Sequence, residues 1–544
     1  MRLLLAFLSL VSLAHSATYT AATCGSADVQ SAINLTAEGD TVIVPAGICT
    51  WTSGVTISGE GIIVKGQGSG RIIALNQDVL TIATGTLSIT VQSTRVDGTY
   101  PLGPTTGQTL TVFQIGARSN WMQGTVTSFN SGTGALVMNI TSTSGTTASN
   151  QQHHWGVATI PSTSITNNGT SGPLFNVTED TAFHTNISGI KFLQGNTTTS
   201  MDVAMNYASG GQAIIIHDCW MEAGGGLSAI YSYTNRGLVY NCSFDASPFS
   251  MGGDVNSAMS VKLLSTQATT SWNTISTWGA SDTTGQSNFY FETNDVHAYI
   301  IAAGTDEGGR LVFRYNFMDN AGFGTHGADT SNYGQRYFEY YNNVGIFVGY
   351  SDGFSTFNMA DGWVFNRGGT FVMFDNTLAQ IAGGSDIGPT RADAQMTVMN
   401  LQRNAGPDPC WGQGTSGGAD YHAPRQQGYG FVTGTGKSPN GTGSSTDSIT
   451  YVGDLEPSYI WNNSRVPLTN VYITDYGSSS GDSCTGQTDT SANYIVLNRD
   501  YYNGTTAKPG YTPYTYPHPL AGGNVAPPTM LMINVKTTKG VTFQ

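Results

Sequence analysis

Charge is scarce in this sequence: only 10% of its 544 residues are Asp, Glu, Lys or Arg. Basic residues are fewest, 21 Lys and Arg against 35 Asp and Glu, giving a formal charge of -14. No basic stripe exists that could displace counterions from a phosphate backbone, which argues against a nucleic-acid partner. Apolar residues at helical spacing are also rare, so long helices are not expected. Beyond the first residues no run is long and apolar enough to cross a bilayer. The six cysteines show no CxxC spacing, and a zinc site is not expected. What the sequence has instead is 69 glycines and many short β-branched and aromatic runs, punctuated by Gly, Asn, Asp and Ser. That texture is all-β. The length accommodates two or three ordinary domains, or one long solenoid.

Residues 1–16 read as a secretory signal: Arg2 is the positive start, Leu3 to Leu13 the apolar core, and Ala14-His15-Ser16 the small-residue cleavage site. The mature chain is expected to begin near Ala17, outside the cytoplasm. An even number of cysteines in a secreted chain favours disulfides. Spacing alone pairs Cys24 with Cys49, Cys219 with Cys242, one coil further on, and Cys410 with Cys484.

A short apolar run closing on a polar tip recurs four times, as FYFETN, LVFRYN, YFEYYN and FVMFDN. The closing asparagines are Asn294, Asn316, Asn342 and Asn376, at spacings of 22, 26 and 34 residues. Repeats of this length on a strand-like run predict a stacked-coil solenoid, with the asparagines forming an internal amide ladder. Near the N-terminus, DVQSAINLTAEGDTVIVPAG (Asp28 to Gly47) predicts a short helix capped by Asp28, with Val29, Ala32 and Ile33 on one face. A turn at Gly39-Asp40 and a first strand from Thr41 to Val44 follow.

These two features resemble the right-handed parallel β-helix proteins of the pectin-lyase-like superfamily, in particular uncharacterised secreted bacterial members. The resemblance implies an N-terminal capping helix and a polymer-binding exterior. It divides the chain into a cap and first coils (17–85), an inserted β-module (86–160), a central β-helix holding the candidate active site (161–400), and a loop-rich C-terminal part with late coils (401–544). Val55 to Val64 and Arg71 to Ile82 are expected as early coils, and SYIWNN and NYIVLN as late ones. The insert alternates apolar and polar residues around Asn130-Ser131-Gly132, an antiparallel hairpin pattern. It resembles a module of phage tail fibres. Its Trp121, His153, His154 and Trp155 either contact sugar or pack the hairpin on the solenoid. The proline-interrupted PGYTPYTYPHPL is expected to lie extended on the surface.

The resemblance implies an extracellular polysaccharide as partner, and lyases, hydrolases or non-catalytic adhesins as classes. Hydrolysis needs two carboxyl groups at a defined separation, and no NTD or DD motif stands in a coil position; Asp306-Glu307 reads as a solvated turn. A lyase acting on a uronic-acid polymer needs a cation for the sugar carboxylate and a base for the C5 proton. Arg310, Arg314, Arg336 and Arg367 supply cations. The segment GFGTHGADTSNYGQR adds His326 as base or acid, Asp329 to orient it, and Tyr333. Arg336 and Arg367 then neutralise the substrate carboxylate, while Glu292 and Arg314, stacked one coil apart, form a surface ion pair or line the neighbouring subsite. Lys262 is a further basic candidate, because some β-helix lyases use a lysine base. Calcium is a conceivable cofactor through Glu292, Asp295, Asp319 and Asp329, although no spacing demands it. The competing classes are a binding or adhesion β-helix and a hydrolase.

Overall fold

The computed structural model describes residues 16–76, 78, 80–91, 103–114, 120–146, 155–169, 172–194, 201–222, 228–245, 257–262, 281–297, 301–306, 308–319, 321–325, 336–348, 364–366, 369–381, 399–401, 433–435, 448–450, 457–466, 471–473, 483–484, 487–488, 497–498 and 501–522. The chain winds as a parallel β-helix with three long sheets. Face A has 12 strands, from Thr18–Thr20 to Tyr501–Gly504. Faces B and C have 10 strands each, starting at Gly47–Trp51 and Val55–Ile57. Each coil visits A, then B, then C, and pairs in parallel with the coil before it, as Phe289↔Leu311↔Phe338↔Phe371 does on face A. No strand can bury its apolar side alone, so stacking supplies the core. Inward side chains repeat coil by coil: Phe291, Phe313 and Tyr340 stack with centroids 5.1 and 5.4 Å apart. Such ring pairs add about 0.5–1.5 kcal/mol each beyond area burial.

The helix Ser26–Ile33 closes the N-terminal end, burying Val29, Ala32 and Ile33. Its cap residue is Gly25, not Asp28. Asp28 sits in the first turn and accepts the Thr23 hydroxyl at 2.5 Å, where a carboxylate complements the helix dipole. The Cys24–Cys49 disulfide ties the cap to the first strand of face B.

The A-to-B corner explains the asparagines, with one correction. In each coil a residue with positive φ precedes the rung: Thr293 (56°), Tyr315 (56°), Asn342 (54°), Asp375 (53°) and Asn462 (53°). The rungs are therefore Asn294, Asn316, Asn343, Asn376 and Asn463, and Asn342 is the left-handed corner residue. Each rung's side-chain oxygen accepts the backbone N–H of the preceding rung, at 2.9 Å for Asn294 to Asn316, Asn316 to Asn343 and Asn343 to Asn376, and 3.1 Å for Asn376 to Asn463. Each side-chain amide donates to the closing carbonyl of the preceding coil, as Asn316 does to Phe291 at 3.0 Å. Cys242 and Cys219 continue the same column: Cys242 N–H donates to the Asn294 side chain at 2.9 Å. Both are free, buried thiols, so the expected Cys219–Cys242 disulfide does not form. Each sulfur instead faces a carbonyl of its own coil, His217 at 3.3 Å and Tyr240 at 3.4 Å. Cys410 lies outside the described residues.

The insert forms a six-stranded antiparallel sheet. It begins at Arg71–Asn76, which pairs antiparallel with Trp155–Thr159; the expectation of a solenoid coil from Arg71 to Ile82 does not hold. The hairpin is present, with Trp121–Asn130 against Ala135–Ser144. Trp155 is buried in the module's own core, while Ile72, Phe113 and Ala158 pack onto Trp220, Phe317 and Val344 on the outside of face B. His153 and His154 lie outside the described residues.

Among the late coils, Ser458–Trp461 joins face A as expected and pairs onward with Tyr501–Gly504; residues 493–496 of NYIVLN lie outside the described residues. The proline-rich segment that follows is extended, yet it is not a simple surface strand. It runs back along the outside of face A as a strap, placing Tyr511, Tyr514, Leu520 and Ala521 on an apolar stripe that includes Tyr290, Tyr341, Phe374 and Trp461.

Candidate functional site

Outward side chains of face A form columns, because in-register parallel pairing puts equivalent positions above one another. One column runs His217, Tyr240, Glu292, Arg314, Tyr341, Phe374, Trp461. The stacking of Glu292 against Arg314 follows the repeat, but their ion pair is buried rather than on the surface: both side chains are 0% exposed. The strap is the reason. Arg314 Nε and Nη2 reach Glu292 Oε2 at 2.7 and 2.6 Å. Its Nη1 donates to the Tyr341 hydroxyl and the Tyr514 carbonyl, and its Nη2 to the Thr515 carbonyl. All five donors are thus engaged within the chain. The other Glu292 oxygen accepts the His518 N–H at 2.9 Å. Rings of Tyr290 and Tyr516 flank the guanidinium at 4.9 and 5.3 Å.

The strap is anchored at both ends. The Tyr511 hydroxyl donates to Glu339 at 2.6 Å; burial pushes the Glu339 carboxyl above its ordinary value. At the other end His518 Nε2 lies 3.1 Å from the Gly285 carbonyl. Burial, aided by the Arg314 charge, holds the His518 imidazole below its ordinary 6.5. The loop beneath is organised by Asp282, which takes backbone N–H groups of Thr284, Gly285, Ser287 and Asn288 and the Tyr290 hydroxyl. Burial pushes its carboxyl up, but these donors outweigh it and leave it below the ordinary value.

At the corner where face C returns to face A, two cations meet. Arg310 opens its strand and pairs in register with Tyr337, while Arg336, the residue before Tyr337, donates its backbone N–H to Gly309. Arg310 donates to Asn288 at 2.6 Å and lies over the Tyr337 ring at 4.7 Å. Burial and the neighbouring Arg310 charge push Arg336 down to about 9. Both arginines are buried, and the Glu339 and Asp282 carboxylates offset part of the charge at Arg310.

His326, Asp329, Tyr333 and Arg367 lie outside the described residues. Lys262 is half-buried on face C, pairing in register with Asp306. That places it on a different face from Arg314. For calcium, Glu292 projects from face A and is neutralised by Arg314, whereas Asp295 and Asp319 belong to strands of face B. Asp329 lies outside the described residues, and no group of three metal-ligating side chains occurs among the described residues.

The structure also brings together residues that the repeat did not single out. His217 Nδ1 lies 2.6 Å from Asp218 Oδ2, its ring stacked on Tyr240 at 4.8 Å. Both side chains keep part of their surface open, 20% and 29%. Asp218 occupies the positive-φ corner, and the recurrence of that corner one residue before each rung was the signal that could have found it. Further up the solenoid, Glu179 joins three coils through Thr234 at 2.6 Å and Arg236 at 2.9 Å. No protein-family model and no curated protein matches this chain.

Proposed function

We propose that this chain is a secreted member of the pectin-lyase-like superfamily that acts on an extracellular acidic polysaccharide by β-elimination. The observation that carries the reading is the Arg310–Arg336 corner, where two arginines stand on adjacent coils close enough for each charge to act on the other. An anion there relieves their repulsion, and a uronate carboxylate is the anion that an extended, three-faced solenoid is shaped to receive. Arg336, with Arg367, neutralises the carboxylate so that the C5 proton becomes acidic. His326, oriented by Asp329, takes that proton as the bond from C4 to the glycosidic oxygen breaks, and Tyr333 serves the leaving oxygen. Secretion is supported by the disulfide and by the leading apolar segment; among the described residues no helix is long and apolar enough to cross a membrane.

The test is product chemistry. His326→Ala should abolish the ultraviolet-absorbing unsaturated product while the far-ultraviolet dichroism of the fold persists, and an active His326→Ala variant would remove His326 from the mechanism. A second reading, binding without cleavage, is favoured by one observation: Arg314 and Glu292, assigned to a neighbouring subsite, spend their hydrogen bonds on the strap. In that case no acidic glycan yields either unsaturated ends or new reducing ends.

A further inference from the structure

The inserted sheet and face B border an open cavity of about 230 Å³ that lies apart from the Arg310–Arg336 corner. Its walls come from both bodies. Phe113 and Trp121 belong to the antiparallel module, and Trp220 and Lys191 to neighbouring strands of face B, with Glu222 immediately after its strand. Phe113 meets Trp220 edge-on at 5.3 Å. Lys191 Nζ stands 5.9 Å from the Trp220 ring and 3.9 Å from Glu222. Gln123 borders the same space and donates to Thr111 at 3.1 Å. Trp121 is half-buried at the rim.

This combination is selective. Aromatic walls offer π-faces to C–H groups, while the rim offers a donor (Lys191), an acceptor (Glu222) and a side-chain amide (Gln123). A ligand that is apolar on one face and covered in hydroxyls at its edge satisfies both sets, and a pyranose has that form. The space is open to solvent on one side and has room for one sugar ring between the aromatic walls. Lys191 and Glu222 cancel, so the site carries no net charge to draw a uronate.

We propose that this junction is a binding site for one neutral hexose ring, a glycan-anchoring site on face B separate from the acidic-glycan corner. It does not depend on the lyase reading, and it remains if that reading fails. The test titrates the full chain with the methyl glycosides of glucose, galactose, mannose and N-acetylglucosamine, and with methyl glucuronide, following tryptophan emission and calorimetric heat. At least one neutral glycoside should give a saturable response on both readouts. Trp121→Ala should weaken it about tenfold, the equivalent of about 1.4 kcal/mol, and Trp121→Phe by less. Should Trp121→Ala lose its fold, Glu222→Gln and Lys191→Met, which alter only the rim, decide the matter with the same expected weakening. The proposal is overturned by the absence of saturation with every neutral glycoside, by tighter binding of the glucuronide, or by rim variants that bind as the parent does.

Discussion

Replacing Arg314 by methionine separates a surface ion pair from a buried one. An exposed pair contributes about 0–1 kcal/mol. Arg314 and Glu292 are instead sealed under the strap, with the guanidinium also holding Tyr341 and the carbonyls of Tyr514 and Thr515. Arg314→Met leaves the Glu292 carboxylate buried with only the His518 N–H against it. Breaking such a pair from one side costs about 3–5 kcal/mol. The two orphaned strap carbonyls can regain water only if the strap lifts. The expected outcome is therefore local: the strap is cut by protease far faster than in the parent, and the denaturant midpoint falls. The double variant Glu292→Leu/Arg314→Met should recover a large part of the loss, because no buried charge remains. Circular dichroism against denaturant and mass spectrometry of the proteolysis products supply the readouts. A loss below about 1 kcal/mol with an uncut strap would refute the buried-network reasoning and return the pair to the surface.

Two further outcomes follow from the corner geometry and the strap. Asn343→Ala removes the acceptor of the Asn316 N–H and the donor to the Phe313 carbonyl, and should cost about 2–6 kcal/mol at about 1–3 kcal/mol per stranded buried group; Asn342→Gly, at φ 54°, should be neutral or slightly stabilising, and equal losses at the two sites would contradict the assignment of rungs. Because the folded His518 imidazole titrates below its ordinary 6.5, folding excludes a proton, so strap stability is full above about pH 6.5 and falls as the pH drops through that value toward the folded pKa. Protease cleavage of the strap should accordingly rise between about pH 7 and pH 5, and His518→Asn should flatten that dependence; a parent indifferent to pH would count against it.

The solenoid was legible because its period is written in residues with one job. From Phe289 to Asn376 a rung asparagine, a positive-φ corner and an inward aromatic recur coil after coil, and parallel stacking turns recurrence into contact. Asn342 was mistaken for a rung because two asparagines stand side by side, and only the corner's backbone tells them apart. The Arg71 strand was misplaced for a related reason: a short apolar run carries no mark of whether its partner is parallel or antiparallel. The pairing of Glu292 with Arg314 could be read from spacing, whereas their burial could not. It depends on a strap some 200 residues later, and sequence proximity says nothing about which face that segment crosses. The Phe113–Trp121–Trp220 pocket was hidden in the same way, since it forms only where the insert folds back on face B.

The central claim is β-elimination on an acidic glycan, and the most direct measurement is a product assay of the full chain on pectin, alginate and glycosaminoglycans beside neutral glycans. The account predicts unsaturated, ultraviolet-absorbing ends from at least one uronate polymer and none from neutral ones, with Arg336→Gln slowing their release about 10²- to 10³-fold. Reducing ends that appear without unsaturation, or no product from any acidic polymer, would contradict it.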